Sequence, residues 1–221
     1  MMSHSTPPPN HTPDFFEELA DGVLNAFAAI YALFAMGMLL SHVWCHVARE
    51  NWVYPFLGCI FYTGMLIFLF AFAAVYHFTR LPSYKQLRVK IHDLFVYLLL
   101  LGTYVGFYVS AYPPAKIPWM FYLILGCILA GIVVKLYSRN QYKKYSIYFY
   151  FALLWAGMWD YSSSRSALPV ETTEFFLTGL VFYSIGLLFL RWHGIPWSHV
   201  LWHFWVIAGS FCHVLALNSI F

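Results

Sequence analysis

WHGIPWSHVLWHFWVIAGSFCHVLAL, residues 192–217, is apolar enough to lie in a lipid bilayer, yet it holds four of the chain's ten histidines. Ionisable side chains are costly inside a membrane, so those found there are functional candidates. His199 and His203 are four residues apart, which on a helix places both imidazoles on one face, about 6 Å apart along the axis. The stretch therefore predicts a transmembrane helix that begins a metal site.

The composition predicts a membrane protein throughout. Of 221 residues, 62% are hydrophobic and 10% are charged, whereas soluble domains carry roughly 25% charged residues. We predict an all-α integral membrane fold, a seven-transmembrane helix bundle formed by residues 14–221 after a disordered tail, residues 1–13. The net charge of +3 is explained by basic loops at a membrane surface, so no nucleic-acid partner is expected. The predicted spans are residues 23–45, 53–77, 92–112, 117–137, 145–159, 175–190 and 198–221.

The basic residues predict the orientation of the bundle. Membrane proteins carry an excess of Lys and Arg in cytoplasmic loops. Three of the twelve basic residues, Arg49, Lys116 and Arg165, fall on one side of the predicted bundle and nine on the other. The side with nine is expected to be cytoplasmic, which places the N-terminus inside and the C-terminus outside.

This topology brings candidate ligands from three spans to one depth. Span two ends at His77, span three begins with His92 and Asp93, and span seven begins with His199 and His203. Three imidazoles and a water are the coordination of a catalytic zinc. The alternative is that these are interfacial histidines that hydrogen-bond across helices.

Other polar residues of the chain are candidate partners of this site or alternatives to it. Asp93 is taken as the only acidic residue at an inner span entrance near the histidines. It is a candidate general base acting through water, or a partner of a ligand histidine; the alternative is an ordinary first-turn acid. His42 and His46 repeat the four-residue spacing at the outer end of span one, but no outer loop offers a third ligand, so no metal site is favoured there. His213 lies about 15 Å beyond His203 along the helix and is expected to make a polar contact within the bundle.

Three stretches resemble the signature regions of the hemolysin III proteins, bacterial relatives of the progestin and adipoQ receptors. They are AAVYH (Ala73–His77), IHDLFVYLLLLGTYVGF (Ile91–Phe107) and IPWSHVLWHFWVIAGSFCHVLAL (Ile195–Leu217). The resemblance covers nearly the whole chain. It implies a seven-helix bundle in a bacterial plasma membrane, and a zinc cofactor held by His77, His199 and His203.

The chain departs from the family's pattern at three places. Ala73 replaces the usual Ser, and Asn25 replaces the usual His of span one. His92-Asp93 reverses the usual Asp-His order, which turns Asp93 by about 100 degrees around the helix and makes His92 a possible additional ligand.

The resemblance suggests three functions. The first is zinc-dependent hydrolysis of a lipid amide or ester from the cytoplasmic leaflet, with Asp93 accepting a proton from water. The second, favoured somewhat by the departures, is a non-enzymatic receptor-like or membrane-homeostasis regulator with a structural zinc. The third, a pore-forming hemolysin, is disfavoured because no charged stripe suits a lumen. Membrane lipids are the expected partners, with a lipid-like ligand in the bundle possible; the oligomeric state is left open.

Overall fold

The architecture is entirely α-helical in the part of the chain that the structure describes. The structure is a computed structural model that describes residues 14–79, 85–137, 146–164, 168–192 and 195–221, with side chains placed for all of these except residues 85–93, 146 and 158–164. The predicted tail, residues 1–13, lies outside this range. A short 3-10 turn, Pro114–Lys116, accompanies seven helices: α1 Phe15–His46, α2 Val53–Thr79, α3 Lys85–Ala111, α4 Trp119–Tyr137, α5 Ser146–Ser164, α6 Val170–Arg191 and α7 Ser198–Asn218.

Six of the described helices are long and apolar enough to cross a membrane: α1, α2, α4, α6, α7 and the Leu94–Ala111 part of α3. The apolar part of α5, Ile147–Gly157, is shorter. These helices confirm an all-α integral membrane fold, because about 20 apolar residues span the hydrocarbon core. The count of seven spans and the orientation remain predictions.

Helix α1 begins at Phe15, well before the predicted start of the first span at Val23. Asp14 caps the helix, since its carboxylate accepts a hydrogen bond of 2.8 Å from the Glu17 N–H. Glu17 and Glu18 then occupy the first turn, where the positive end of the helix dipole favours acidic side chains. The acidic segment is therefore the first part of α1.

Helix packing brings the two ends of the chain together. The main helix pairs are α1 with α2, α6 with α7, and α2 with α3, and α1 also contacts α7. Glycines allow close approaches: a Cβ atom on Gly106 would lie 2.6 Å from the Tyr62 Cβ, and one on Gly179 would overlap the His213 ring. Hydrogen bonds from His77 to Glu18 and from Trp197 to Glu17 show that the first turns of α1 lie against the end of α2 and the start of α7.

Candidate metal site

Helix α1 presents a polar face to the bundle. Glu17, Asp21 and Asn25 are spaced four residues apart, so they share one face of the helix, and all three are buried. Glu17 and Asp21 therefore face the interior of the bundle and not solvent. This face of α1 supplies the carboxylates that meet the histidines of α2 and α7.

Three imidazoles converge on this face. His77 comes from the last turn of α2, and His199 and His203 come from the first two turns of α7. Their ring centroids form a triangle with sides of 4.7 Å (His199–His203), 5.2 Å (His77–His199) and 5.5 Å (His77–His203). The structure thus brings together the three histidines that spacing and topology singled out.

The carboxylate of Asp21 lies among these rings. Nδ1 of His199 donates to Oδ2 at 2.6 Å, and Nδ1 of His203 donates to Oδ1 at 2.8 Å. Nε2 of His77 lies 3.8 Å from Oδ2. One candidate ligand atom from each of these four residues can be chosen so that all lie within 4.8 Å of one another. Asp21 therefore joins the three histidines in one cluster.

Further groups hold the histidines in place. Nδ1 of His77 donates to Oε2 of Glu18 at 2.7 Å, which leaves the Nε2 lone pair facing the cluster. A carboxylate on one ring nitrogen, with the other nitrogen turned to the site, is the usual arrangement of a metal-binding histidine. Asn25 Nδ2 lies 3.0 Å from His203 Nδ1 and donates to the Asp21 carbonyl at 2.9 Å.

The turn before α7 is also fixed by α1. Trp197 has a φ of 63°, in the left-handed region that is unusual for a residue other than glycine. Its N–H donates to Oε1 of Glu17 at 2.5 Å. Glu17 thus holds the backbone two residues before His199.

Two observations show that the cluster suits a cation. Three imidazoles bound to one tetrahedral zinc at about 2.1 Å have ring centroids about 5 Å apart, close to the observed triangle. In addition, among the described residues the buried Asp21 carboxylate pairs with imidazoles and not with Lys or Arg. A buried carboxylate needs positive charge nearby, which protonated imidazoles or a bound metal ion would supply.

The structure places acidic residues of α1 beside the histidines, in addition to the acid expected from predicted span three. The side chains of His92 and Asp93 lie outside the described residues, so their predicted roles stay predictions. The expectation that Asp93 is the only acid near the histidines is wrong, because Glu18 and Asp21 contact them directly. The four-residue spacing from Glu17 to Asp21 to Asn25, together with the predicted cytoplasmic N-terminus, was the available signal.

A second pair of histidines has the same spacing but different surroundings. His42 and His46 stack with a centroid distance of 4.2 Å near the opposite end of α1, where His46 is exposed. Nδ1 of His46 donates to the carbonyl of His42 at 3.0 Å. No group of three or more metal-ligating residues includes this pair in the described part of the chain.

Comparisons with known proteins indicate the family to which the chain belongs. The model of the family described as Haemolysin-III related matches residues 14–214. The chain is 23% identical over 195 residues to Hemolysin-3 of Bacillus cereus, covering 88% of this chain and 87% of that one. It is 20% identical over 194 residues to the Hemolysin-3 homolog of Bacillus subtilis (strain 168), covering 88% and 89%. No solved structure matches. The apolar helices and the bacterial relatives indicate a plasma-membrane location, and the chain belongs to the Haemolysin-III related family.

Proposed function

We propose that the protein is a zinc-binding membrane hydrolase that cleaves an amide or ester bond of a lipid. The observation that carries this proposal is the triangle of imidazole rings from His77, His199 and His203 around the Asp21 carboxylate. Three imidazoles and a carboxylate form a donor set that suits zinc among the common transition ions.

The three histidines would hold the ion, and Asp21 would orient them. Both oxygens of Asp21 are engaged by imidazole nitrogens, of His199 and His203, so in this role the carboxylate would not itself be a ligand of the ion and a water could be. Zinc supplies a Lewis acid and lowers the pKa of a coordinated water to about 7. An open position is what separates catalytic from structural zinc sites.

The chain offers two carboxylates for proton transfer. Asp21 lies within hydrogen-bond distance of the candidate ligands, and Asp93 is the acid that the sequence places at the start of predicted span three, within α3. Either would accept a proton from water as a general base. Burial of the cluster, in which His77 and Asp21 are 2% and 3% exposed, keeps bulk solvent away and strengthens the electrostatic interactions within it.

The substrate class follows from the location of the site. With nine basic residues on the predicted inner side, the cluster lies at the cytoplasmic end of the bundle, level with the headgroups of the inner leaflet. A lipid whose amide or ester bond lies at that depth reaches the site laterally, without leaving the bilayer. Membrane lipids are therefore the proposed substrates.

The second candidate function is regulatory, with zinc as a structural element. The observation that favours it is the position of Asp21, which can serve as a fourth protein ligand. Four protein ligands close a zinc site, and here they would join α1, α2 and α7 into one unit. In that case removal of zinc lowers the melting temperature, but no lipid is turned over.

Two measurements on detergent-purified protein test these proposals. Elemental mass spectrometry is expected to find about one zinc per chain, as for a single site, and none in His203→Ala. Incubation with a panel of lipid amides and esters is then expected to give products with wild type and none with His203→Ala or after chelation. Zinc without turnover would leave the structural role alone, and no metal in folded wild type would exclude both.

The names of the relatives require one control. Because they are called hemolysins, each sample is also reconstituted into dye-loaded liposomes. We expect no leakage from protein with or without zinc. Leakage that is independent of lipid hydrolysis would contradict the hydrolase proposal and support pore formation.

A further inference from the structure

The turn that leads into α7 contains an unfavourable backbone conformation. The Ser198 N–H donates to the Ile195 carbonyl at 3.3 Å, which closes a four-residue turn with Pro196 and Trp197 at its centre. Trp197 has φ 63° and ψ 7°, and it is the one residue other than glycine with a positive φ in the described part of the chain. Proline followed by a residue with positive φ is the pattern of a type II turn, whose second central position favours glycine or asparagine. Tryptophan at that position incurs a steric cost that glycine would not.

A contact from α1 holds this conformation. A strained residue persists only where its surroundings determine its geometry, and here the Trp197 N–H donates to Oε1 of Glu17 at 2.5 Å. Glu17 is buried, and a hydrogen bond to a carboxylate is strong in such surroundings. Rotation of the peptide group between Pro196 and Trp197 to the type I form would give Trp197 a relaxed, negative φ, but it would turn the N–H away from Glu17. The hydrogen bond therefore selects the strained form of the turn.

Helix α7 does not supply this acceptor from its own sequence. In a capping box, a Glu or Gln at the third helical position accepts a hydrogen bond from the N–H of the N-cap residue. Trp197 is the N-cap residue of α7, its side chain makes no capping hydrogen bond, and the third helical position is Val200. Glu17 therefore provides, from the other end of the chain, the acceptor that the start of α7 lacks.

The turn is joined directly to two of the candidate metal ligands. The Leu201 N–H donates to the Trp197 carbonyl at 2.9 Å, so the helical hydrogen bonds of α7 begin at the strained residue. His199 lies two residues after Trp197 and His203 lies one turn further, and both imidazoles donate to Asp21. Little chain separates the turn from these side chains, so a change of backbone conformation at Trp197 is transmitted to them.

We propose that Glu17 is a positioning residue of the candidate metal site, which holds the Ile195–Ser198 turn in its strained form and thereby places His199 and His203 for zinc. Glu17 is outside the group of candidate ligands, and it acts through the Trp197 backbone and not through its charge. The inference rests on the proposed binding of zinc, which both candidate functions share, and it adds the backbone contact that gives the site its geometry.

Two substitutions of Glu17 separate the hydrogen bond from the charge. Glu17→Ala removes the acceptor, and we expect zinc affinity to fall about 10-fold, as for other groups that orient metal ligands. Glu17→Gln removes the charge but keeps an acceptor oxygen, so it should retain most of the affinity. Competition with a chromophoric chelator in detergent measures both. Equal losses in the two variants would show that the charge matters and would overturn the proposal.

Two substitutions of Trp197 test the conformation of the turn. Trp197→Gly and Trp197→Ala both remove the indole, but only the glycine variant removes the cost of a positive φ. Combined with Glu17→Ala, Trp197→Gly should recover most of the lost zinc affinity and Trp197→Ala should recover none, because the two changes at these sites are coupled. With Glu17 intact, the alanine variant should still bind zinc less tightly than the glycine variant, a comparison that does not require Glu17→Ala to fold. Equal affinities of the glycine and alanine variants would overturn the proposal.

Cobalt(II) in place of zinc gives a readout that a loss of overall stability would not change, because its visible absorption reports the coordination geometry. At saturating cobalt we expect an altered spectrum for Glu17→Ala and the wild-type spectrum for the Glu17→Ala, Trp197→Gly double variant. A wild-type spectrum for Glu17→Ala would overturn the inference, even if its melting temperature fell. Zinc bound equally tightly by wild type and Glu17→Ala would overturn the inference alone, whereas no metal in folded wild type would overturn the proposed function and the inference with it.

Discussion

The chain contains two His-x-x-x-His pairs in helices, and among the described residues only one of them lies in a candidate metal site. His199 and His203 face the Asp21 carboxylate and the ring of His77. His42 and His46 have the same spacing, but they stack on each other, and His46 satisfies a backbone carbonyl. Four-residue spacing therefore aligns two imidazoles, while the side chains of other helices decide whether the pair can bind a metal.

The largest difference between the two pairs is expected in metal content. His203→Ala removes one corner of the imidazole triangle and should reduce bound zinc from about one per chain to none that survives dialysis. His46→Ala is the matched change in the other pair and should leave the metal content unchanged. Elemental mass spectrometry measures both, and equal loss in the two variants would show that the pairs do not differ.

The carboxylate of Asp21 is the second difference between the pairs. Asp21→Asn keeps the size of the side chain but removes its charge and one of the two acceptors for the imidazole N–H groups. We expect zinc affinity to fall by about 10- to 100-fold, the usual effect of changing a residue that orients metal ligands. Competition with a chromophoric chelator measures the affinity. Glu50→Gln, an exposed acid, is the control, and a matching decrease there would indicate a general charge effect.

Asn25 makes a smaller contribution to the expected difference in zinc affinity between the two pairs. Asn25→Ala removes the amide beside His203 and the hydrogen bond to the Asp21 carbonyl. Loss of a neutral hydrogen bond typically costs about 1 kcal/mol, so zinc affinity should fall by roughly 5-fold. The same chelator competition measures it, with Asn51→Ala in an exposed turn as the control. A loss larger than that of Asp21→Asn would reverse the assigned order of importance.

The smallest effect is expected on stability, at the second pair itself. His46→Ala removes an exposed, stacked ring near the end of α1, and exposed substitutions usually change stability by no more than about 0.5 kcal/mol. Thermal unfolding in detergent should therefore barely distinguish this variant from wild type, with or without chelator. A large decrease that appears only after chelation would mean that this pair also binds a metal.

The helices were largely predictable because each span carries its own hydrophobic signal. The predicted start of α7 at Ser198 and of α2 at Val53 agree with the structure. The predicted first span starts at residue 23, after the start of α1 at Phe15, because charged residues are unfavourable in a bilayer and the acidic turns were left out of the span. These acids are tolerated because distant residues pair with them, and hydropathy does not detect such pairs.

The candidate site was predictable only in part for the same reason. His77, His199 and His203 could be brought together by counting spans. Asp21 could not be identified in the same way, because its partners are 178 and 182 residues away and belong to other helices. The expected polar contact of His213 is confirmed by its hydrogen bond to the Phe176 carbonyl.

The pairing of Asp21 with His199 and His203 sets an order for biogenesis. The carboxylate is synthesised near the beginning of the chain, and its imidazole partners emerge from the ribosome only after nearly all other helices have been made. Until then the acidic turns of α1 have their most favourable environment in the headgroup region, where water solvates them. Assembly of the first and last helices is therefore a late step of membrane insertion, and it simultaneously neutralises the acids and completes the cluster.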